Sequence, residues 1–502
     1  MILDTHGKPI RLDKSYARSG ASYARKSLAS WSTSALSADE DITQNLDTLR
    51  ARSRDLYMST PLATGAIKTI RTNVVGSGLA LNAHIDHEKL GLSPESAKEW
   101  EKNTQREWAL WAESSACDAG RTMNFYQMQG LVLASALMSG DCFVAMPYIK
   151  RPDNPYSLKV YIIESDRVCN PTDSLINPNV DIMQGIELGT YGEPVAYHIA
   201  KYHPNGSFYL MGKQQEWKRV PAFGAKTGRR NILHIMPDYE RPAQRRGVPL
   251  LAPVMEALKQ LERFTNAELT AAVISGLFTG FVTTQSADGL QSPFNDLGDR
   301  DKERNEISMG NGSMVYLQEG ENVTFGSPGR PNPEFGGFVQ AVCRQIGAAL
   351  ELPYELLVKN FTASYSASRA SLLEAWKAFR MRRQWLCDSF CQAVYEEWLA
   401  EAVSLGRISA PNFFSDLSYK KAWSRAEWSG DAQGQLDPLK EANAAVVRIN
   451  NGLSTREKEA AELTGLSFEV IANQLTAESE ALKAITPQQG ELPPVNKNED
   501  EE

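Results

Sequence analysis

The stretch Asn360-Phe361-Thr362-Ala363-Ser364-Tyr365-Ser366-Ala367-Ser368-Arg369 runs straight into an unusually long helical pattern. From Ala370 onward Leu373, Trp376, Phe379, Leu386, Phe390, Val394 and Trp398 recur at steps of three, four or a broken seven. That recurrence predicts one helix from 370 to at least 403. At 1.5 Å of rise per residue it spans roughly 50 Å, beyond the about 8–20 residues usual in globular domains. A helix of that length is a spine shared between domains or a column in an assembly. The segment ahead of it is small and hydroxyl-rich, without Pro or Gly, and is placed to contact something.

At 502 residues the chain exceeds what a single core accommodates, so two or more structural regions are expected. A formal net charge of −8 argues against a surface built to grip nucleic acid. Each neutralised phosphate needs a Lys or Arg and makes binding steeply salt-dependent. A conduit that a polyanion slides past remains compatible with that charge, since walls rich in phosphate contacts would turn passage into capture. The six cysteines show no C-x-x-C spacing and no secretory segment is read ahead of them, so a reduced, cytoplasmic folding environment is expected. Cys387 and Cys391 share a helix face as core or contact residues; zinc would call for four ligands, and no His lies nearby. The longest apolar runs, 130–138 and 271–282, fall short of the ~18–20 residues that span a bilayer. No membrane embedding is expected.

Residues 1–44 read as a flexible or partner-dependent arm. Structured text follows, with a helix entered near Pro61 and closed by Gly76-Ser77-Gly78, and with Arg50, Arg52, Arg54 and Arg71 solvated or salt-bridged. A strand over 79–85 precedes a helix opened by Ser93-Pro94, whose Trp100, Thr104, Trp108 and Trp111 share a core face. A helix over 124–140 leads to strands at 142–148 and 158–163, then to a hairpin pairing 182–188 with 194–199 through Tyr191-Gly192-Glu193. Helical patterns over 248–274 and 335–350 flank a small β-rich insertion with a strand-like run at 313–317. After the long helix the chain is Trp-rich and irregular to Pro438, helical again over 439–483, then acidic and disordered over 486–502.

Enzyme chemistry finds little purchase. Gly206-Ser207-Phe208-Tyr209-Leu210-Met211-Gly212-Lys213-Gln214 has one residue too many between its glycines for a phosphate loop, and Gln where a magnesium-binding hydroxyl belongs. Glu164 and Asp166 are a conceivable metal pair for nuclease chemistry, but they precede Arg167 and read as a structural salt bridge. Asp296, Asp299 and Asp301 lack the spacing and final Glu of a calcium loop. The six histidines form no H-E-x-x-H pattern, and no G-x-S-x-G elbow is present. No cofactor, metal or catalytic residue is expected.

Several blocks in one order resemble the lambda-type portal proteins of tailed bacteriophages. They are Arg52-Ser53-Arg54-Asp55-Leu56, Pro61-Leu62-Ala63, Val75-Gly76-Ser77-Gly78, Ile163-Glu164-Ser165-Asp166-Arg167, Gly185-Ile186-Glu187 and Val195-Ala196-Tyr197. His234-Ile235, Arg241-Pro242-Ala243-Gln244-Arg245-Arg246-Gly247-Val248-Pro249, Tyr365-Ser366-Ala367-Ser368-Arg369-Ala370-Ser371 and Leu436-Asp437-Pro438-Leu439-Lys440-Glu441-Ala442 continue them. Each block is weak alone; their collinearity over roughly 45–480 carries the resemblance. Where a familiar variant of the loop has paired serines, this chain has Ser366-Ala367-Ser368.

The resemblance implies an α+β portal fold assembled as a dodecameric ring at one capsid vertex. It implies a flexible arm at 1–44, an α+β wing at 45–247, stem helices at 248–275 and 333–356, and a clip at 276–332. A tunnel loop at 357–368, a long helix and wing return at 369–437, a helical crown at 438–485 and an acidic tail at 486–502 complete the plan. Double-stranded DNA, contacted without sequence specificity, passes through the channel. The implied partners are the terminase large subunit, major capsid and scaffold proteins, and head-completion or adaptor proteins. The implied location is the virion, after assembly in the host cytoplasm. Under this reading Thr362, Ser364, Tyr365, Ser366 and Ser368 line the bore, or else their hydroxyls cap the long helix, with Ser368 as N-cap. Arg369, Arg380, Arg382 and Arg383 serve inter-subunit pairing or the channel. An ATPase or nuclease subunit of the packaging motor is the alternative from another class, and a non-viral scaffold a third.

Overall fold

The computed structural model describes residues 26–31, 33–171, 181–207, 211–276, 280–284, 321–325, 334–361, 364–434, 438–465 and 468–485. The expected strand at 313–317, most of the expected arm and the expected tail at 486–502 lie outside the described residues.

Two short helices, α1 (Lys26–Ala29) and α2 (Ala38–Thr43), come first. Residues 36–43 do not behave as a free arm: a Ser37/Glu40 capping box opens α2, and Asp41 pairs with Arg241. Helices α3 (Leu46–Ser59) and α4 (Pro61–Val74) follow, separated at Thr60, whose backbone is extended because the proline after it disfavours helical geometry. Strand β1 (Ala80–Ala83), the single-turn α5 (His87–Leu90) and α6 (Pro94–Ala112) come next. Ser93 caps α6 through the amide of Ser96. Helix α7 (Phe125–Ser139) opens on a second capping box, Asn124 with Gln127, and stops at Gly140.

The strands fall into small antiparallel sheets. Strands β2 (Cys142–Ala145) and β3 (Tyr161–Ile163) pair with β8 (Ile232–Ile235) in the order β3-β2-β8. Beside them β4 (Ile182–Met183), β5 (Ile186–Leu188), β6 (Pro194–Ala200) and β7 (Trp217–Pro221) form a four-stranded meander; Ile186 stands opposite Tyr197 as expected, but 182–188 is not one strand, because it turns back at Gln184-Gly185, both at positive φ, and β4 pairs with β5. Helix α8 (Met255–Gly276) leads to β9 (Gly280–Thr284), which pairs with β10 (Glu321–Phe325), and α9 (Phe335–Ala349) returns. Phe264 on α8 stacks on Phe335 and meets Phe338 edge-on, tying the two helices together.

After α10 (Tyr354–Val358) the long helix runs as α11 (Tyr365–Leu386), a π turn at Cys387–Cys391, and α12 (Gln392–Ser404). It begins five residues before the expected 370. The steps Leu386, Phe390, Val394 and Trp398 are each four residues, a repeat that drifts around a 3.6-residue helix, and the wider π turn takes up the drift. All four side chains, together with Cys387 and Cys391, are buried.

The region after 406 differs from the irregular text expected. It holds α13 (Leu417–Trp423) and β11 (Ala426–Ser429), which pairs with β1 across nearly the whole sequence, Leu81 opposite Trp428. Neither four nor seven residues are enough to show a period, and β11 exists only through its distant partner. Helices α14 (Pro438–Asn450), α15 (Arg456–Thr464) and α16 (Phe468–Ile485) close the described chain.

One large core lies where α4, α6, α7 and α12 meet. Trp108 is its centre, with ring centroids of Trp111, Phe125, Tyr395, Trp398 and Trp428 all within 6 Å. Of the tryptophans expected as core, Trp108 and Trp111 are fully buried, while Trp100 sits half-buried at the edge against Trp423. Among the described residues no helix is long and apolar enough to cross a membrane.

Candidate DNA-channel segment and its anchoring

Helix α10 ends in a left-handed turn at Lys359 (φ 55°), where the amides of Lys359 and Asn360 both donate to the Glu355 carbonyl. Phe361 follows, half-exposed. Thr362 lies outside the described residues. Ser364 takes the N-cap position of α11 and its carbonyl accepts the first helical bond from the Ser368 amide at 2.9 Å. Its side chain caps no amide; the Ser364 and Ser366 hydroxyls lie 3.3 Å apart, both residues exposed. Ser368 is buried inside the first turn rather than at the cap. Tyr365 begins the helix. Of the hydroxyl residues singled out from sequence, Ser364 and Ser366 therefore stand open at the helix start and Ser368 does not.

The four arginines behind this segment are placed differently from one another. Arg369 forms an ion pair with Glu441 of α14 at 3.2 Å, and Arg382, buried, with Glu351 at 2.8 Å. Arg383 donates to the carbonyls of Asn73 and Val74 at 2.9 Å each and to that of Asp431 at 3.0 Å. Asn73 and Val74 end α4, where carbonyls have no partner within the helix, so Arg383 acts as its C-terminal cap. Burial pulls the Arg383 guanidinium down from its ordinary value. Asp431 in turn accepts from the amide and hydroxyl of Ser77, just past the same helix. Arg380 is exposed and, with Arg369 and Arg383, lines a cleft of about 790 Å³ between α11, the 427–434 segment and helices α14–α15.

A second anchoring centre escaped the sequence reading. Asp141 is fully buried and receives Arg50 Nη2 at 3.0 Å, Arg246 Nε at 2.7 Å and the Gly247 amide at 3.1 Å, with His234 Nε2 at 3.3 Å. Arg246 spends its remaining donors on the carbonyls of Ser165, Val168 and Gln184, and lies 5.0 Å over the Phe143 ring. Burial alone would raise the Asp141 carboxyl, but Arg246 and Arg50 hold it well below its ordinary value. Burial lowers Arg50 to about 10, with the neighbouring Arg246 adding to it. The approach depends on two glycines, since a Cβ on Gly140 would sit 2.2 Å from the Gly247 carbonyl oxygen, and one on Gly247 1.9 Å from that of Gly140. Gly140 also needs its positive φ of 89°. The sequence signal was a lone carboxylate opening the apolar run Asp141-Cys142-Phe143-Val144, which has to find a cation once buried.

Glu164, Asp166 and His203 bring their ligand atoms within 4.8 Å of one another. Arg54 meets both carboxylates, at 3.5 Å from Glu164 and in direct contact with Asp166. The salt-bridge reading of that pair holds.

Residues 24–383 match the family described as phage portal protein, lambda family. The chain belongs to the lambda family of phage portal proteins. The match covers α1 through most of α11, including the segment at 360–369. Portal protein B of Escherichia phage lambda is 26% identical over 471 residues, covering 89% of this chain and 86% of its own. The portal protein of Escherichia phage N15 is likewise 26% identical, covering 89% of this chain and 87% of its own. Among solved structures, a chain from the neck of a native GTA particle computed with C12 symmetry aligns at 15% identity and a TM-score of 0.43, over 83% of this chain and 92% of that one. The family is a structural one rather than an enzyme family.

Proposed function

We propose that copies of this chain close into a dodecameric ring at one vertex of a phage capsid, the channel through which double-stranded DNA is packaged and later ejected. The observation that carries this is the family match over residues 24–383, a span that takes in α1, the 360–369 segment and most of α11. In this reading the sheets and helices of 45–247 form the wing, α8 and α9 the stem, the β9–β10 pair the base of the clip, and α14–α16 the crown. The ring nucleates procapsid assembly with scaffold and major capsid proteins, receives the terminase at the clip, and afterwards holds head-completion proteins. Assembly takes place in the host cytoplasm and the finished ring stays in the virion.

The chain works as a conduit and has no catalytic step of its own. The packaging-motor alternative lacks support, because Arg54 already neutralises the two carboxylates a metal-dependent nuclease would use. Ser364 and Ser366, exposed at the start of α11, make weak, sequence-independent contacts with the phosphate backbone. Weakness suits sliding. Ser364→Glu/Ser366→Glu places like charge against the phosphates while touching no buried group. Rings are expected at wild-type yield, with several-fold fewer DNA-filled heads in a packaging assay; unchanged filling and retention would remove these residues from the bore.

A further inference from the structure

The loop at 239–247 is held from two sides, and one of them is a short segment from near the start of the chain. On its inner side Arg246 and the Gly247 amide both reach the buried Asp141. On its outer side the loop meets α2. The Arg245 amide donates to Asp39 Oδ1 at 2.8 Å, while the Arg241 guanidinium pairs with Asp41 and donates to the Leu36 carbonyl at 2.8 Å.

Neither partner of the outer contact is secure alone. Helix α2 has six residues, too few to hold a helix by itself in water. Its apolar anchorage is slight, since within 36–43 only Ala38 is buried. The acidic contacts to the loop and the run into α3 therefore set its place. In the loop, Ala243 takes a φ of 64°, a left-handed conformation that residues with a side chain hold only where their surroundings impose it. Gln244 braces the same turn, accepting from the Glu240 amide at 3.0 Å and donating to the Arg246 carbonyl at 2.9 Å. The outer and inner contacts then fall on successive residues, Arg245 and Arg246. One planar peptide unit and its neighbouring soft dihedrals separate them, so displacement of one is felt by the other.

We propose that α2 is a strap. Docked, it holds the 239–247 loop in its strained form and keeps Arg246 and Gly247 on Asp141; released, it lets the loop relax and loosens that centre. The device passes the state of the N-terminal segment to the interior of the wing, and it operates within one chain.

The test is hydrogen–deuterium exchange of the full-length protein, read by mass spectrometry over 36–43, over 239–247 and, as a control, over α7. Asp39→Ala/Asp41→Ala removes the strap's side-chain contacts outright. Ser37→Ala weakens only the capping box of α2 and touches no residue of the loop. Both variants should exchange several-fold faster than wild type over 36–43 and over 239–247, with α7 unchanged. Wild-type exchange over 239–247 in the double variant would overturn the strap, whatever happens over 36–43. So would Ser37→Ala speeding 36–43 alone, because α2 would then move without the loop. Faster exchange over α7 as well would overturn it too, by making the effect a general loss of stability.

Discussion

The wing and the C-terminal helices solve opposite problems with similar sequence material. Around Trp108 the wing packs six aromatic rings against one another, five of them buried and Trp428 half-buried, and around Asp141 it buries a carboxylate between two arginines. Helices α14–α16 carry as regular an apolar spacing, yet among their described side chains only Ala445 and Glu459 are buried and Ile449, Phe468 and Ile471 are half-buried. Amphipathic period alone therefore says that a face will be covered, not by which chain. The region around Trp108 and Asp141 holds its own core, whereas helices α14–α16 leave most of their large apolar side chains open.

The sharpest way to break this contrast is at Asp141. Asp141→Ala leaves Arg50 and Arg246 buried without their counter-charge, and about 3–5 kcal/mol of wing stability should be lost. A urea titration followed by tryptophan fluorescence reads it. The same centre predicts a pH response. The folded carboxyl titrates below its unfolded value of about 3.9, so its contribution is full above that pH and is lost as pH falls toward the depressed folded value. A wild-type midpoint unchanged between about pH 5 and pH 3 would contradict the pairing.

At the other end stands Leu475→Glu. In the isolated chain this exposed position should shift the same midpoint by no more than about 0.5 kcal/mol, as for other surface sites. In assembled rings it should loosen the crown, visible as faster proteolysis after α15 than in wild-type rings. A large loss in the isolated chain would mean that α16 already packs within it, and the contrast would collapse.

Much of the wing was legible because its elements announce themselves locally: Ser93 and Asn124 cap the helices they precede, and the hairpin at Tyr191-Gly192-Glu193 pairs as its turn dictates. The long helix was legible too, though its start was read late because Tyr365, Ser366, Ala367 and Ser368 carry no apolar period. What stayed hidden depends on distance along the chain. Strand β11 owes its existence to β1, and Arg50 finds Asp141 only after α3 has folded against α7. Arg383 shows the same limit, since its position on α11 was plain but its partners at the end of α4 lie more than three hundred residues away. Within the candidate channel segment, residue types pointed to Ser364 through Ser368 together, and only the helix phase separates the exposed Ser364 and Ser366 from the buried Ser368.

The central claim is that this chain is one unit of a channelled ring. Negative-stain electron microscopy of the purified full-length protein tests it most directly. Rings with a central opening and twelve-fold averages are the expected result. A population of compact monomers, or of solid filaments, under conditions where the wing is folded would contradict it.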